Sequence, residues 1–367
     1  MKTKLLIVAS TVLLSNNAYS VTVYEDEVNK VDIGGAFLMD YFQPVHFLDH
    51  FFNTSRSTLN IGVARTLNDK WSTDVKFEWD TILNPPSNEF GNKNGDKFRS
   101  RLGYISVNHT ELGSLRIGKQ YSAYYDVAGY MDNLIVFDPD ATPLFSDGKD
   151  GGFLATARGD NLVVYRNNFD ALNLSAQYGF NNVSNQMGGL TRDNNLALAL
   201  SYDFDSGLSL GTTYMRNKVE GRSGGLNDGD LQELTTVAAK YVNQGFQISA
   251  AYTIGENAHE TDLFGYGFDG TAPTGKPNLY ADANAYDVYA HYYFAMGIRP
   301  YIYLSNVDFD DSTLQVNGNR NVYSFGISYH ATPQFIISGE VRATEEDGLG
   351  AGKRDDTLSG MTIIYAF

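Results

Sequence analysis

WSTDVKFEW, residues 71–79, sets Trp71, Thr73, Val75, Phe77 and Trp79 against Ser72, Asp74, Lys76 and Glu78. A period of two puts successive side chains on opposite faces of a strand, so this segment has one apolar and one polar face. The same alternation recurs in LNLSAQYGF (172–180), NLALALSYDF (195–204), FQISAAYTI (246–254), NVYSFGISY (321–329), FIISGEVRA (335–343) and MTIIYAF (361–367). One row is consistently apolar, and the other carries Ser, Gln, Asp and Arg.

What the two rows face decides the fold class. A soluble sandwich buries its apolar rows against a second sheet and rarely strings together so many long strands. Strands of about ten residues instead match the length needed to cross hydrocarbon at a tilt, apolar side outward to lipid and polar side inward to water.

The connections are unequal in the way such a barrel requires. Tight turns fall at 68–70, 111–113, 169–170, 205–207, 243–245, 295–297 and 332–334. Longer polar stretches fall at 83–96, 122–157, 182–193, 218–231, 256–280, 309–319 and 346–355. From the first strand near Lys30 to the last over 356–367 the count is sixteen, an even number that puts both ends of the barrel on the short-turn rim. The expected fold is all-β, a sixteen-stranded antiparallel transmembrane β-barrel, wide enough to enclose an aqueous channel. Closing the last strand on the first removes the sheet edge, whose bare amides lipid cannot satisfy.

The first twenty residues, MKTKLLIVASTVLLSNNAYS, read as a secretory signal peptide. They have two lysines, an apolar run from Leu5 to Leu14, and small residues Ala18 and Ser20 before a cut at Val21. Residues 21–367 then form a single barrel domain with 25 basic and 43 acidic side chains, a charge of −18. So acidic a chain is ill suited to bind nucleic acid, which needs cationic side chains against phosphate. There is no cysteine, hence no thiolate chemistry and no disulfide.

Four stretches, NKVDIGGAF (29–37), GSLRIGKQYSAYYDVAGYMD (113–132), NLVVYRN (161–167) and DDTLSGMTIIYAF (355–367), resemble the general porins of Gram-negative outer membranes, which are trimeric, sixteen-stranded and non-specific. The resemblance implies that the third loop folds into the barrel and sets acidic side chains against a ladder of arginines. It also implies a homotrimer in lipid that includes lipopolysaccharide. Phe367, with Tyr365, is expected to be the signal read by the outer-membrane assembly machinery. Asp132 falls on the first acidic position of the loop. Val136, ahead of Phe137, stands where a glutamate is usual, leaving Asp138 and Asp140 to supply the charge. Arg101 and Arg158 fall on the arginine positions. Arg99 shares the inner face with Arg101, and parity sets Leu102 and Tyr104 on the lipid side. A third ladder position aligns with Asn60, near which Arg56 has inward parity, and an inward lysine of some members corresponds to Ala36.

Opposed charges across a narrow, partly desolvated lumen make a transverse field. Since carboxylate rings favour cations, the expected activity is passive diffusion of small hydrophilic solutes and ions with mild cation preference, without cofactor, metal or catalysis. Two rivals stay open: an oligosaccharide-selective porin with Tyr289 and Tyr293 as a lumenal track, and an outer-membrane hydrolase, for which no nucleophile motif appears. GTAPTGKP (270–277) imitates a phosphate loop but has Pro277 in place of the magnesium-binding hydroxyl. DFDDS (308–312) reads either as a rim site for a hard cation or as a solvated acidic loop.

Overall fold

The computed structural model describes residues 20–43, 51–54, 56–81, 98–145, 151–181, 183–184, 189–261, 279–349 and 354–367. Residues 1–19 of the expected signal peptide, the 83–96 connection and GTAPTGKP lie outside them. Sixteen long strands form the barrel: β1 (Asn29–Gln43), β2 (Thr58–Thr66), β3 (Trp71–Thr81), β4 (Phe98–His109), β5 (Gly113–Tyr121), β6 (Arg158–Phe169), β7 (Leu172–Gly179) and β8 (Leu190–Asp203), then β9 (Leu208–Gly221), β10 (Leu231–Asn243), β11 (Phe246–Glu260), β12 (Tyr280–Tyr292), β13 (Ile298–Asp311), β14 (Val316–His330), β15 (Phe335–Asp347) and β16 (Arg354–Ala366). Each pairs antiparallel with its neighbours in sequence, and β16 pairs with β1. The seven tight turns expected from the sequence join β2–β3, β4–β5, β6–β7, β8–β9, β10–β11, β12–β13 and β14–β15.

Closure uses the last strand together with a segment that precedes β1. Strand β16 covers β1 from Gln43 to Ala36, and the backbones of Phe367 and Gly35 then exchange two hydrogen bonds of 2.9 and 3.0 Å. Beyond that point a short strand, Val21–Glu25, takes over the same edge and pairs Val21 with Ile33 and Glu25 with Lys30. The two segments therefore share one strand position. The junction is tight enough to require glycine: a Cβ on Gly34 would lie 2.9 Å from the Ser20 Cα, and one on Gly35 would lie 2.3 Å from the Thr58 carbonyl oxygen. Two further short strands are accessory, Phe51–Asn53 against β1 and Val183–Ser184 against β8.

The outer wall is apolar, as the period of two predicts. Leu196, Leu198, Leu200 and Tyr202 of β8 are exposed while Ala197, Ala199 and Ser201 between them are buried. Aromatic pairs such as Tyr202–Phe204 and Tyr292–Phe294, each with ring centroids 4.7 Å apart, mark the short-turn rim. Tyr214, Tyr252, Tyr286 and Tyr323 stand out from the wall farther along their strands. Amphipathic rings favour the two membrane interfaces.

Parity fails at one place that matters. In β4 a bulge leaves Arg101 unpaired: Trp79 faces Ser100 and Glu78 faces Leu102. The extra residue resets the alternation, so Leu102 and Tyr104 share the inner face with their partners Glu78 and Lys76 rather than facing lipid as expected.

The third connection, 122–157, bonds to the inner wall of the barrel. It begins with one helical turn, Tyr125–Ala128, and a 3-10 turn, Gly129–Met131. Its contacts run across the lumen: Gln177 of β7 accepts from the Ala123 amide at 2.8 Å, Tyr124 shares a 2.7 Å bond with Thr236 of β10, and Gln247 of β11 donates to Asn133 at 2.8 Å. Farther on, the Asp140 amide donates to Tyr303 of β13 at 2.6 Å and the Thr142 amide to Asp287 of β12 at 2.6 Å. Met131, Leu134 and Val127 pack on the inward rings of Tyr289, Tyr301 and Tyr303. A loop interior is thereby anchored by both polar and apolar contact.

The lipid assignment of the outer row is testable. Leu198→Arg on the exposed row of β8 is expected to destabilise the refolded barrel by about 2–4 kcal/mol, while Leu198→Ile stays near neutral. Denaturant unfolding from lipid vesicles measures both.

Candidate pore constriction

The arginines expected on the wall are all there, but each of the first three is held by a wall carboxylate that the sequence reading had left out. The Arg56 Nε donates to Asp40 at 2.9 Å, and the same guanidinium reaches the Ile135 carbonyl of the third loop and the Thr362 hydroxyl of β16, both at 3.0 Å. The Arg99 Nε donates to Asp80 at 3.0 Å. Arg101 donates to Glu78 at 2.6 Å, with Asp80 at 3.4 Å. Asp40, Glu78 and Asp80 are buried; Arg101 is nearly so, which makes its bond to Glu78 a pair in a low-dielectric wall, whereas Arg56 and Arg99 keep about a third of their side chains open to the lumen. Asn60, at the weak rung of the ladder, accepts from Lys76 of the next strand at 2.6 Å. A lysine one strand over thus supplies the cation that this position lacks.

Arg158 opens β6 and is buried. It donates to the Tyr121 hydroxyl at 3.3 Å and sits over the rings of Tyr121 and Phe145, 5.7 and 5.3 Å from their centroids. The Tyr121 ring in turn lies 4.5 Å from that of Tyr125, whose hydroxyl donates to Asp132. Asp132 is therefore linked to Arg158 through two tyrosines and lies within electrostatic reach of Arg101 and Arg158. Enclosure of its carboxyl pushes its pKa up to about 6, with Tyr125 and the two arginines pulling the other way and Asp138 adding to the rise.

The two acids proposed to stand in for the residue missing at Val136 behave differently. Asp138 is exposed and within electrostatic reach of both Arg56 and Asp132, whereas Val136 is buried. Asp140 turns into the wall: its carboxylate lies 3.7 Å from Arg320, and burial raises its pKa against the pull of that arginine. Phe137, between them, is covered by the Arg342 guanidinium 4.8 Å from the ring centroid. Tyr289, offered as part of a sugar track, is fully buried beneath Met131 and Leu134. In the DFDDS stretch, Asp308 and Asp310 point outward while Asp311 points inward to accept from the Thr313 and Leu314 amides, so the carboxylates diverge. Among the described residues no group of three His, Cys, Asp or Glu side chains could hold a metal ion.

The register could have revealed the missed carboxylates. Glu78 and Asp80 share the inward parity of β3, but only the β3–β4 pairing, with its bulge, sets them beside Arg101 and Arg99.

A closed barrel with an apolar outside, a charged interior and a loop laid across it defines an outer-membrane channel. The model of the Gram-negative porin family matches residues 49–349, and the chain belongs to that family. Outer membrane protein F of Serratia marcescens is 25% identical, with 99% of this chain and 98% of that protein aligned, and outer membrane protein S2 of Salmonella typhi is 23% identical over the whole of both. Among solved structures, the Salmonella typhi OmpF complex with daunomycin superposes with a TM-score of 0.75 at 19% identity, over 95% of this chain and all of that one. An anion-selective porin from Comamonas acidovorans superposes at 0.67 and 15% identity, over 92% of this chain and all of that one. The protein is a multi-stranded channel of the bacterial outer membrane for passive solute diffusion, not an enzyme.

Removing a buried charge's partner is costly. Arg56→Gln strands the Asp40 carboxylate and is expected to destabilise the barrel by about 2–4 kcal/mol, with part of the loss recovered when Asp40→Asn is added. Urea unfolding of the two variants reads the difference.

Proposed function

We propose that this porin is a general diffusion channel with a mild preference for cations, narrowed by the third loop. Arg101 and Arg158, with Arg99 and Arg56, are its basic wall, and Asp132 and Asp138 its acidic side; Asp140 tethers the loop through Arg320. The observation that carries this reading is the pairing of the wall arginines. Arg56, Arg99 and Arg101 are each neutralised by Asp40, Asp80 or Glu78, and Arg158 is buried, while Asp138 is exposed. A passing ion responds most to the charge it can approach without an intervening counter-charge. The burial of Tyr289 favours a non-specific channel over a sugar track.

On the same reading the channel works as a homotrimer in the outer membrane, its outer wall against lipid that includes lipopolysaccharide. Tyr365 and Phe367, exposed at the end of β16, serve the assembly machinery as the recognised terminus.

Planar-bilayer recording in a salt gradient tests selectivity directly. Wild type is expected to give ohmic openings in groups of three with a reversal potential on the cation side, and Asp138→Asn to move that potential toward the anion side. Anion preference in the wild type would overturn the reading.

A pH dependence follows from Asp132. Its carboxyl is largely neutral below about pH 6 and charged above. Cation preference should rise between pH 5 and pH 7, and Asp132→Asn should flatten that rise. The sign for stability is opposite: because the folded pKa lies above the ordinary 3.8, this group's contribution to stability falls as pH rises from about 4 to about 6.

A further inference from the structure

Arg116 departs from the charge pairing seen at the constriction. It stands on the inner face of β5, three residues past the 111–113 turn, and is half-buried. Its Cζ lies 4.1 Å from the centroid of the Tyr104 ring on β4. The register accounts for that contact: Arg116 pairs with Ser106 and Tyr104 with Gly118, so the two side chains are diagonal neighbours on one face of an antiparallel pair. Among the described residues no carboxylate comes within 4.0 Å of the guanidinium, and its Nε has no hydrogen-bond partner.

The charged groups around it are already engaged. Asp74, two strands away in the same register row, accepts from Asn108 at 2.8 Å and also from Ser106. Arg166 donates to Asp126 at 2.7 Å, and the Ser175 hydroxyl donates to the same carboxylate. Lys76, opposite Tyr104, donates to Asn60 at 2.6 Å. The bulge at Arg101 is what turns Tyr104 inward. Gly118 presents no side chain beside the ring, and a Cβ there would lie 2.2 Å from the Gly103 carbonyl oxygen.

A guanidinium keeps its proton in a protein, and its planar fork matches a carboxylate edge to edge. An aromatic ring against it holds the plane in place, so less freedom is lost when a ligand binds. We propose that Arg116, held by Tyr104, is a docking step for small monocarboxylates on the short-turn side of the constriction. One unpaired cation with Asp74 and Asp126 at its flanks suits a single negative charge better than the double charge of a phosphate. The step lies roughly 16 Å along β5 from Tyr121, the residue paired with Arg158, and is separate from the constriction.

Crystals of the detergent-solubilised barrel soaked in 4-bromobenzoate and measured at the bromine absorption edge locate the site. The carboxylate is expected about 3 Å from the Arg116 donors, with no such peak for 4-bromobenzamide. In planar bilayers 4-bromobenzoate should reduce potassium chloride conductance saturably, and R116Q should raise the half-blocking concentration about tenfold. R116K, which keeps the charge and loses the fork, should fall between the two, and Tyr104→Leu should weaken the block with the charge unchanged. If R116Q does not assemble, these two variants carry the test. Equal block by 4-bromobenzamide, an unchanged half-blocking concentration in both R116K and Tyr104→Leu, or a bromine peak confined to other arginines would each overturn the proposal. The reversal potential in potassium chloride alone is read separately, so a wrong sign of selectivity would count against the channel reading and not against this site.

Discussion

Hydrocarbon offers a backbone amide no partner, and this constraint governs the rest of the molecule. A sheet that crosses lipid must close, and here closure falls on β1, whose edge is covered by β16 as far as Ala36 and by Val21–Glu25 beyond it. The paired glycines at 34 and 35 are the local expression of that demand, because three backbones converge there with no room for a side chain. Once the barrel is closed, alternation alone sorts apolar rows to lipid and polar rows to the interior. The channel is thus a by-product of satisfying amides.

A barrel of sixteen strands is too wide to be filled by its own side chains, and the third loop is what gives the interior a specific shape. Its attachment is distributed. Gln177, Thr236, Gln247, Tyr303 and Asp287 each hold a different part of it, on strands from β7 to β13, and Arg56 holds Ile135 from the opposite side. Loops are ordinarily the mobile parts of a barrel, but one whose amides and apolar side chains are both spent on the wall behaves as part of the core. The charge pattern of the constriction is therefore fixed by the strands as much as by the loop.

Most of the fold was legible because the period of two is a direct physical record of lipid on one side and water on the other. Leu196, Leu198 and Leu200 need no structure to be placed. What failed were cases in which one residue departs from the period or two strands must be known together. The bulge at Arg101 resets the parity of Leu102 and Tyr104, and no composition signal marks it. Lys76 replaces the missing rung at Asn60 only through the β3–β2 register. The participation of Val21–Glu25 in closure was likewise hidden, since five residues carry too little alternation to be read. Asp138 and Asp140 are two residues apart in one loop, and their opposite fates depend on where Arg320 stands, which only the assembled barrel decides.

Fold likeness does not extend to selectivity. The chain superposes on an OmpF structure and also on a porin described as anion-selective, at TM-scores of 0.75 and 0.67. Superposition on a porin described as anion-selective therefore does not fix the sign of preference in this chain, and the choice must lie in side chains. On the proposed reading, the decisive feature in this barrel is how many cations remain unopposed. Asp80 stands directly opposite Arg99, Glu78 beside the bulged Arg101, and Asp40 against Arg56 of the following turn, so the basic wall keeps its shape and hydrogen bonds while presenting little free charge. Wall pairing of this kind lets the interior be built from arginine, whose planar donors organise neighbouring loops, without committing the channel to anions. The sign of selectivity can then be set by a single exposed carboxylate at a position, such as Asp138, that carries no structural duty of its own.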